Sequence, residues 1–259
     1  MDRERLKKLA GDKRFIPGIY NYCDRWCERC PQTSRCLNFS FSEEEFSDPE
    51  TRDIRNEAFW KELSGIFEES LELLREGAKK WGIELETLDL EGDTERMRAK
   101  DEVAEGHVIS RAAKSYSKMV GDWFLEKGGL FVETATVVND GVNLEEAIEV
   151  IRWYQHFIAA KVMRAIRGKM EEEEEEERWD EFPSDSDGSA KIALIAIDRS
   201  IGAWAVISHH DPLHAESVFD IISFLDSLRQ AVEETFPNAR SFNRPGFDRV
   251  DLNGIVITP

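Results

Sequence analysis

The feature that most constrains the fold is the recurrence of apolar residues at helical spacing along most of the chain. Apolar residues stand three and four positions apart in five stretches, at about residues 52–82, 95–127, 144–168, 190–208 and 212–236. Gly82 follows the first stretch, Asn143 precedes the third, and Pro237 follows the last, and these residue types commonly end or begin helices. We therefore predict an all-α fold, a helical bundle of about five long helices.

The fourth stretch, AKIALIAIDRSIGAWAVIS, is the most apolar, and it could also form two strands on either side of Asp198 and Arg199. Its five alanines between residues 190 and 205 favour a helix that is buried on most sides.

The length of 259 residues fits one large domain, or one domain with an appendage. We expect residues 1–50 to form an N-terminal segment with a small four-cysteine module, and residues 51–236 to form the helical bundle. Within the bundle, the acidic residues 170–188 are expected to form a mobile loop. Residues 237–259 are expected to form an irregular tail that ends in a short strand.

Acidic residues outnumber basic ones by 53 to 34, which gives a net charge of −19. The chain stays acidic, at −12, without the seven glutamates of residues 171–177. A field of this sign repels phosphate backbones and anionic lipids, which disfavours nucleic acid and membranes as partners. Because the sequence has neither a long apolar segment nor a secretory signal pattern at its start, we expect a cytoplasmic protein.

All four cysteines fall within fourteen residues, in the string CDRWCERCPQTSRC. A reducing compartment disfavours disulfides, and thiolates gathered this closely favour a soft metal. Four thiolates can complete either a tetrahedral zinc site or a [4Fe-4S] cluster. Nearby Arg25, Arg29 and Arg35 are expected to help keep the thiols deprotonated. The predicted ligands are Cys23, Cys27, Cys30 and Cys36.

The spacing C-x3-C-x2-C-x5-C contains a single C-x2-C pair, whereas structural zinc usually takes two such pairs separated by a longer loop. One compact wrap suits a cluster in which each iron takes one sulfur. We therefore favour a [4Fe-4S] cluster and keep Zn2+ as the alternative.

The half-motif Cys27-x2-Cys30-Pro31-x4-Cys36 resembles the C-terminal cysteine group of RecB-like exonucleases that carry a [4Fe-4S] cluster. It is also similar to the end of the cluster loop in endonuclease III-type DNA glycosylases. Both resemblances imply cluster ligands at the four cysteines, but they cover fewer than twenty residues. The longer string IYNYCDRWCERCP resembles segments of bacterial helical proteins without an assigned activity. The nuclease and glycosylase catalytic motifs are not found elsewhere in the sequence, so the DNA activities do not carry over.

Three polar residues on predicted helices are candidates for an internal catalytic site. Asp198 and Arg199 interrupt the most apolar helix, where Lys191 could pair with Asp198. Glu105 lies in line with the apolar face of the second helix. A structural or solvent-exposed role competes with a catalytic role for each of them. Whether the chain is an enzyme stays open.

The histidines around Asp211 could hold a second metal, or they could be exposed imidazoles at a helix start. These histidines are His209, His210 and His214.

The leading functional hypothesis is a cluster used for electron transfer or redox sensing, with the bundle as a docking surface for a protein partner. The first alternative is an interaction module stabilised by zinc, without catalysis. The second alternative is an enzyme with an internal polar site in the bundle.

Overall fold

The computed structural model describes residues 3–85, 89–134, 143–174, 185–250 and 256–257. Within these residues the protein is mainly helical, as predicted, but it contains nine α-helices rather than about five. The long helices are α4 (Glu57–Trp81), α5 (Leu90–Gly106), α6 (Val108–Thr134), α7 (Leu144–Glu174), α8 (Asp185–His210) and α9 (Ala215–Thr235). The short ones are α1 (Arg3–Ala10), α2 (Leu37–Glu45) and α3 (Pro49–Arg52). Two two-residue strands, β1 (Arg249–Val250) and β2 (Val256–Ile257), pair antiparallel.

The helix count differs from the prediction for two reasons. Three short helices lie before residue 53, where the sequence has no long apolar periodicity. The predicted second helix is broken at His107 into α5 and α6. The backbone N–H of His107 donates to the carbonyl of Ala104, three residues earlier rather than the four of an α-helix, so the last turn of α5 is tighter than α-helical. The His107 ring accepts from the N–H of Ile109. The chain therefore ends one helix and caps the next at this residue.

The described residues divide into two compact units. The N-terminal unit comprises the described part of Met1–Glu95 together with Pro245–Phe247. The helical unit comprises the described part of Arg96–Arg244 and of Asp248–Thr258. The division between the two units, after Glu95, falls within α5.

The helical unit is built around α8, which packs against α7 and α9, while α6 also packs against α7 and α9. More than half of α8 is buried, fourteen of its 26 residues. This confirms that the most apolar stretch is a helix with few solvent-facing positions. Burial on this scale supplies most of the hydrophobic stabilisation of the unit.

Aromatic side chains fill one part of this core. Trp204 on α8 is fully buried, and its ring meets that of Trp123 edge-on at a centroid distance of 5.0 Å. Its indole N–H donates to the hydroxyl of Tyr116 at 3.2 Å, so the polar end of the ring is also satisfied. Edge-to-face pairs of this kind stabilise a core beyond the area that they bury.

The predicted acidic loop at residues 170–188 is wrong at both ends, because α7 continues to Glu174 and α8 begins at Asp185. Glu172 accepts hydrogen bonds from the backbone N–H and the hydroxyl of Ser186, at 3.2 and 2.7 Å. Arg164 pairs with Asp185 at 3.0 Å. These bonds join the end of α7 to the start of α8, and the rest of the predicted loop, residues 175–184, lies outside the described residues.

The C-terminal tail is largely irregular, as expected, apart from a short 3-10 turn and the strand pair β1–β2. Residues 251–255 and 258–259 lie outside the described part. Among the described helices, none combines the length and the apolar character needed to cross a membrane.

The longest helix of the N-terminal unit is α4. The Asn56 side chain caps its first turn by accepting from the N–H of Ala58 at 3.0 Å. Gly82 ends it in the left-handed conformation, with φ 72°, which confirms the predicted stop. Although the apolar spacing of α4 predicted a buried face, Ala78 is its one buried residue.

Candidate metal centre

The cysteine segment folds as a series of tight turns rather than as regular helix or strand. Three 3-10 turns follow one another, at Ile19–Asn21, Cys27–Arg29 and Thr33–Arg35. Cys27 opens the second turn, and the N–H of Cys30 closes it on the carbonyl of Cys27 at 3.2 Å. The N–H of Cys36 closes the third turn on Thr33, also at 3.2 Å. Because a 3-10 turn repeats every three residues, the chain wraps round within a short distance.

The four cysteines line one small pocket within the N-terminal unit. All four cysteines are half-buried, and none of them forms a disulfide. Most of the remaining lining is aromatic or aliphatic, so the pocket offers sulfur in otherwise apolar surroundings. The apolar lining residues are Ile19, Tyr20, Trp26, Phe39 and Phe247.

Backbone N–H groups point at two of the sulfurs. The N–H of Gln32 donates to Cys30 Sγ at 3.4 Å, and that of Phe39 donates to Cys36 Sγ at 3.5 Å. Bonds of this kind are one of the ways in which proteins tune iron–sulfur clusters. Cys23 differs, because its thiol donates to the carbonyl of Tyr20 at 3.6 Å.

Burial raises the pKa of the Cys27 thiol, and the neighbouring Cys23, Cys30 and Cys36 raise it further. The expectation that nearby arginines keep the thiols deprotonated is therefore wrong for Cys27. The physical reason is that desolvation and like charge both penalise the thiolate. A cation bound among the four sulfurs would reverse both effects, because metal binding displaces the thiol protons.

Of the three arginines of the segment, Arg25 lines the pocket. Arg29 lies over the ring of Trp26, with 4.0 Å between its guanidinium carbon and the ring centroid. Arg25 lines the pocket in a left-handed conformation, with φ 60°, which is uncommon for a residue with a side chain. Asp24 supports this turn by accepting from the N–H of Trp26 at 3.2 Å. Arg35 is exposed.

Two residues near the C-terminus complete this region, and the sequence analysis did not identify them. Gly246 has φ 79°, and a β-carbon there would lie 2.5 Å from Ile16 Cδ1, so the position requires glycine. The next residue, Phe247, lines the cysteine pocket. The Pro245-Gly246 pair was a turn signal in the sequence, but nothing in the sequence indicated where that turn packs.

Within the described ranges, no group of three or more His, Cys, Asp or Glu side chains is already arranged to hold a metal ion. The cysteine pocket therefore supplies the right donor atoms around one space without a preformed ion site. Cysteine thiols in this setting can bind a metal or a metal cluster, or they can be oxidised.

The three candidates for an internal catalytic site are not enclosed. Glu105 is exposed and pairs with Lys114, because the break at His107 removes it from the apolar face of α6. Arg199 is exposed, and it donates to the hydroxyl of Tyr154 at 2.7 Å. Asp198 is about one-third exposed. These three side chains therefore do not form a sealed polar pocket.

Asp198 has a different partner from the one considered in the sequence analysis. It pairs with Arg240 at 2.6 Å rather than with Lys191. Lys191 instead pairs with Asp248 at 2.9 Å, and both side chains are almost fully buried. Arg244 also pairs with Asp248, at 2.7 Å. The buried ionic site of the helical unit is thus this triad of Lys191, Arg244 and Asp248.

The ammonium of Lys191 also donates to the carbonyls of Phe242 and Arg240, at 2.6 and 3.3 Å. Its three N–H bonds therefore all have acceptors, which identifies the triad as a structural anchor between α8 and the tail. Lys191 stands out in the sequence as a charge in an apolar helix, but its partner Asp248 lies 57 positions later in the chain.

The histidine cluster is also accounted for by local structure. His214 Nδ1 lies 2.6 Å from Asp211 Oδ2, and the rings of His209 and His210 meet edge-on at 5.7 Å. In the described part of the chain these residues do not form a metal-binding group.

Comparison with known proteins adds no relative: no protein-family model matches the chain, and neither a curated protein nor a solved structure matches it.

Proposed function

We propose that the N-terminal unit binds a [4Fe-4S] cluster through Cys23, Cys27, Cys30 and Cys36, and that the cluster serves electron transfer or redox sensing. The observation that carries this proposal is the common pocket of the four thiols. Their spacing in the sequence, C-x3-C-x2-C-x5-C, adds support because it makes one compact wrap.

The chain's own residues have three roles in this proposal. The four thiolates hold the cluster, and the N–H groups of Gln32 and Phe39 donate to two of the sulfurs. The apolar lining limits the access of water, which influences the reduction potential. When bound, a cluster with four cysteine ligands exchanges single electrons with a redox partner and has no open iron for substrate. We expect that partner to be a protein, since the −19 charge of the chain disfavours nucleic acid.

The test is anaerobic purification of the full chain, followed by metal analysis and a visible spectrum of the same sample. We expect about four irons per chain and a broad shoulder near ~400 nm, as for other cubane clusters with cysteine ligands. Cys27→Ala and Cys30→Ala should lose both the iron and the absorbance. Ser34→Ala is the matched control, because Ser34 lies in the same segment, is exposed and carries no thiol; it should keep both.

About one zinc per chain in a colourless sample would replace the cluster by a structural zinc site. The unit would then be an interaction module whose fold depends on the ion. Full iron content in Cys27→Ala and Cys30→Ala would show that the ligands have been assigned to the wrong residues.

A further inference from the structure

One face of α4 presents large apolar side chains to solvent along its whole length. Trp81 is 76% exposed and Leu74 66%, and Phe67, Leu71 and Trp60 are 60%, 52% and 51% exposed. Single exposed apolar residues are ordinary on protein surfaces, but a contiguous row of five marks an interaction surface. We call the row at positions 60, 64, 67, 71, 74, 78 and 81 the α4 seam; Ala78 is the one member of this row that is buried.

The adjacent face of α4 packs within the N-terminal unit. The Phe59 ring lies 5.6 Å from the ring of Phe46, and Leu63 and Ile66 are half-buried. The apolar residues of this helix therefore form two faces. The inward face explains how α4 is held, and the α4 seam is left over for another surface.

The positions of the α4 seam are spaced four and three apart in strict alternation. This is the heptad spacing of a coiled coil, in which apolar residues form a line that faces a partner helix. It is kept for the whole 25-residue helix. The residues at every seventh position, Trp60, Phe67, Leu74 and Trp81, are large, whereas Ser64 and Ala78 between them are small.

We propose that the α4 seam binds the α4 seam of a second copy of this chain, with the two helices antiparallel, and so forms a homodimer. The sizes of the side chains that face each other favour this arrangement. In an antiparallel heptad pair each seam position faces the alternate position of the other helix. With Leu71 facing Leu74 of the second copy, Phe67 faces Ala78 and Trp81 faces Ser64. The Phe67 and Trp81 rings then each meet a small residue, which lets these layers interdigitate, while Trp60 faces position 85, beyond the end of α4.

A parallel pair would not give this match. Each seam residue would face its own copy, so that two Trp81 rings would share one layer and two Ser64 residues another. Layers so unequal in volume would leave either clashes or gaps.

Opposite charges beside the α4 seam also favour the antiparallel arrangement. Glu68 and Arg75 flank the α4 seam directly after Phe67 and Leu74, on the same side. In the antiparallel register Glu68 of one copy lies beside Arg75 of the other, and the two-fold symmetry repeats this pair. Arg75 is exposed in the chain, where it pairs with Glu72 of its own helix. It can therefore turn to a second copy without uncovering a buried group.

The exposed apolar area of the α4 seam is also sufficient for a dimer. An aromatic side chain offers about 150–250 Å2, so the exposed fractions of the three rings and two leucines leave on the order of 500 Å2 of apolar surface per copy. A pair of such faces buries roughly 1,000 Å2, the lower limit for a specific interface. The surface is thus large enough for a self-association that depends on protein concentration.

The experiment is light scattering after size-exclusion chromatography of the full, metal-loaded chain over a concentration series. We expect the mass to rise towards twice the 29.8 kDa of the chain. Phe67→Glu should raise the dimer dissociation constant at least ~30-fold, because it places a charge in the centre of the interface. Phe219→Glu is the matched control, since Phe219 is 67% exposed on α9 and lies in the helical unit; it should leave the dimer intact.

The orientation is tested by exchanging charges. Glu68→Arg alone should raise the dissociation constant roughly 10-fold by setting two positive charges beside each other, and adding Arg75→Glu should restore it. A chain that stays monomeric throughout the series, or a dimer that survives Phe67→Glu, overturns the proposal. A dimer that the double exchange does not restore overturns the antiparallel arrangement. Metal content, measured on each sample, separates these results from a failure of the proposed cluster.

Discussion

The two units of this protein differ most in how much apolar surface they bury. Among the described residues, thirty hydrophobic residues are buried in the helical unit, but only three in the N-terminal unit, Phe15, Ile19 and Ala78. The helical unit thus has a core of the kind that normally stabilises a domain. The N-terminal unit, of similar order in chain length, has almost none.

Small units with little core are usually stabilised by metals, disulfides or association with another chain. The N-terminal unit carries four cysteines around one pocket and an exposed apolar helix face. Both proposals made above therefore concern the unit that its own packing stabilises least. Because the two units differ in buried apolar surface, we expect them to respond differently to the same perturbations.

Metal removal should have the largest effect. In the proposed metal-loaded protein, a chelator should unfold the N-terminal unit and leave the helical unit folded, because metal binding and folding are coupled in units without a core. Limited proteolysis with mass spectrometry should show new cleavage within residues 3–85, while a fragment containing α6–α9 persists. Equal protection of both units with and without chelator would show that the fold of the N-terminal unit does not depend on the metal.

Disruption of the buried triad should be the most costly single substitution in the helical unit. Asp248→Ala leaves the buried Lys191 and Arg244 without their carboxylate, and we expect a loss of about 3–5 kcal/mol in unfolding free energy. Asp198→Ala removes a pair with a partly exposed Arg240 and should cost about 1 kcal/mol or less. Urea denaturation followed by circular dichroism measures both. Equal losses would show that the triad is not energetically special.

A matched pair of leucines tests the difference in packing directly. Leu225→Ala in α9 removes a fully buried side chain and should cost about 2–5 kcal/mol. Leu90→Ala at the start of α5 removes a side chain that is 65% exposed, and its effect should stay within about 0.5 kcal/mol. Leu90 is outside the α4 seam, so self-association does not complicate the measurement, which is again urea denaturation. A large loss for Leu90→Ala would mean that this position is better packed than its exposure indicates.

Acid should weaken the helical unit through Asp248. Burial alone would raise the pKa of this carboxyl, but hydrogen bonds from Arg244 and Lys191 outweigh burial and hold the pKa at about 2, below the ordinary 3.8. Because the folded-state pKa is the lower one, the stabilisation is complete above about pH 5 and is lost as the pH falls through 3.8 towards 2. The loss at the acid end should be about 2 kcal/mol. Asp248→Asn should flatten this part of a stability–pH profile, and a profile unchanged by that substitution would assign the acid loss to other groups.

The sequence predicted the helical unit well where the apolar spacing was long and ended in clear signals. Asn143 was expected before the third helix, and its side chain accepts from the N–H groups of Glu145 and Glu146. The most apolar stretch was correctly predicted as a helix. The break at His107 was missed because the apolar spacing continues across it and no proline marks it. The break involves a single residue, whose ring replaces a helical acceptor for the N–H of Ile109.

The candidate site was predictable in its residues but not in its surroundings. Cys23, Cys27, Cys30 and Cys36 stand out in the sequence by number and spacing, and they do line one pocket. Phe247 was not predicted to join them, because it comes from more than 200 residues later in the chain. The apolar spacing of α4 predicted a single buried stripe, whereas the structure divides its apolar residues between an inward face and the α4 seam, because spacing gives no indication of whether a face is covered within the chain.

The sequence by itself determined the helical class, the helix ends at Gly82 and Asn143 and the cluster of thiols, because these depend on residues within a few turns of one another. Only the tertiary structure decided the pairing of Lys191 with Asp248, the approach of Phe247 to the cysteines and the exposure of the α4 seam. Each of these depends on which distant segments pack together. That choice follows from the sum of many weak contacts over the whole chain, and no local pattern records it.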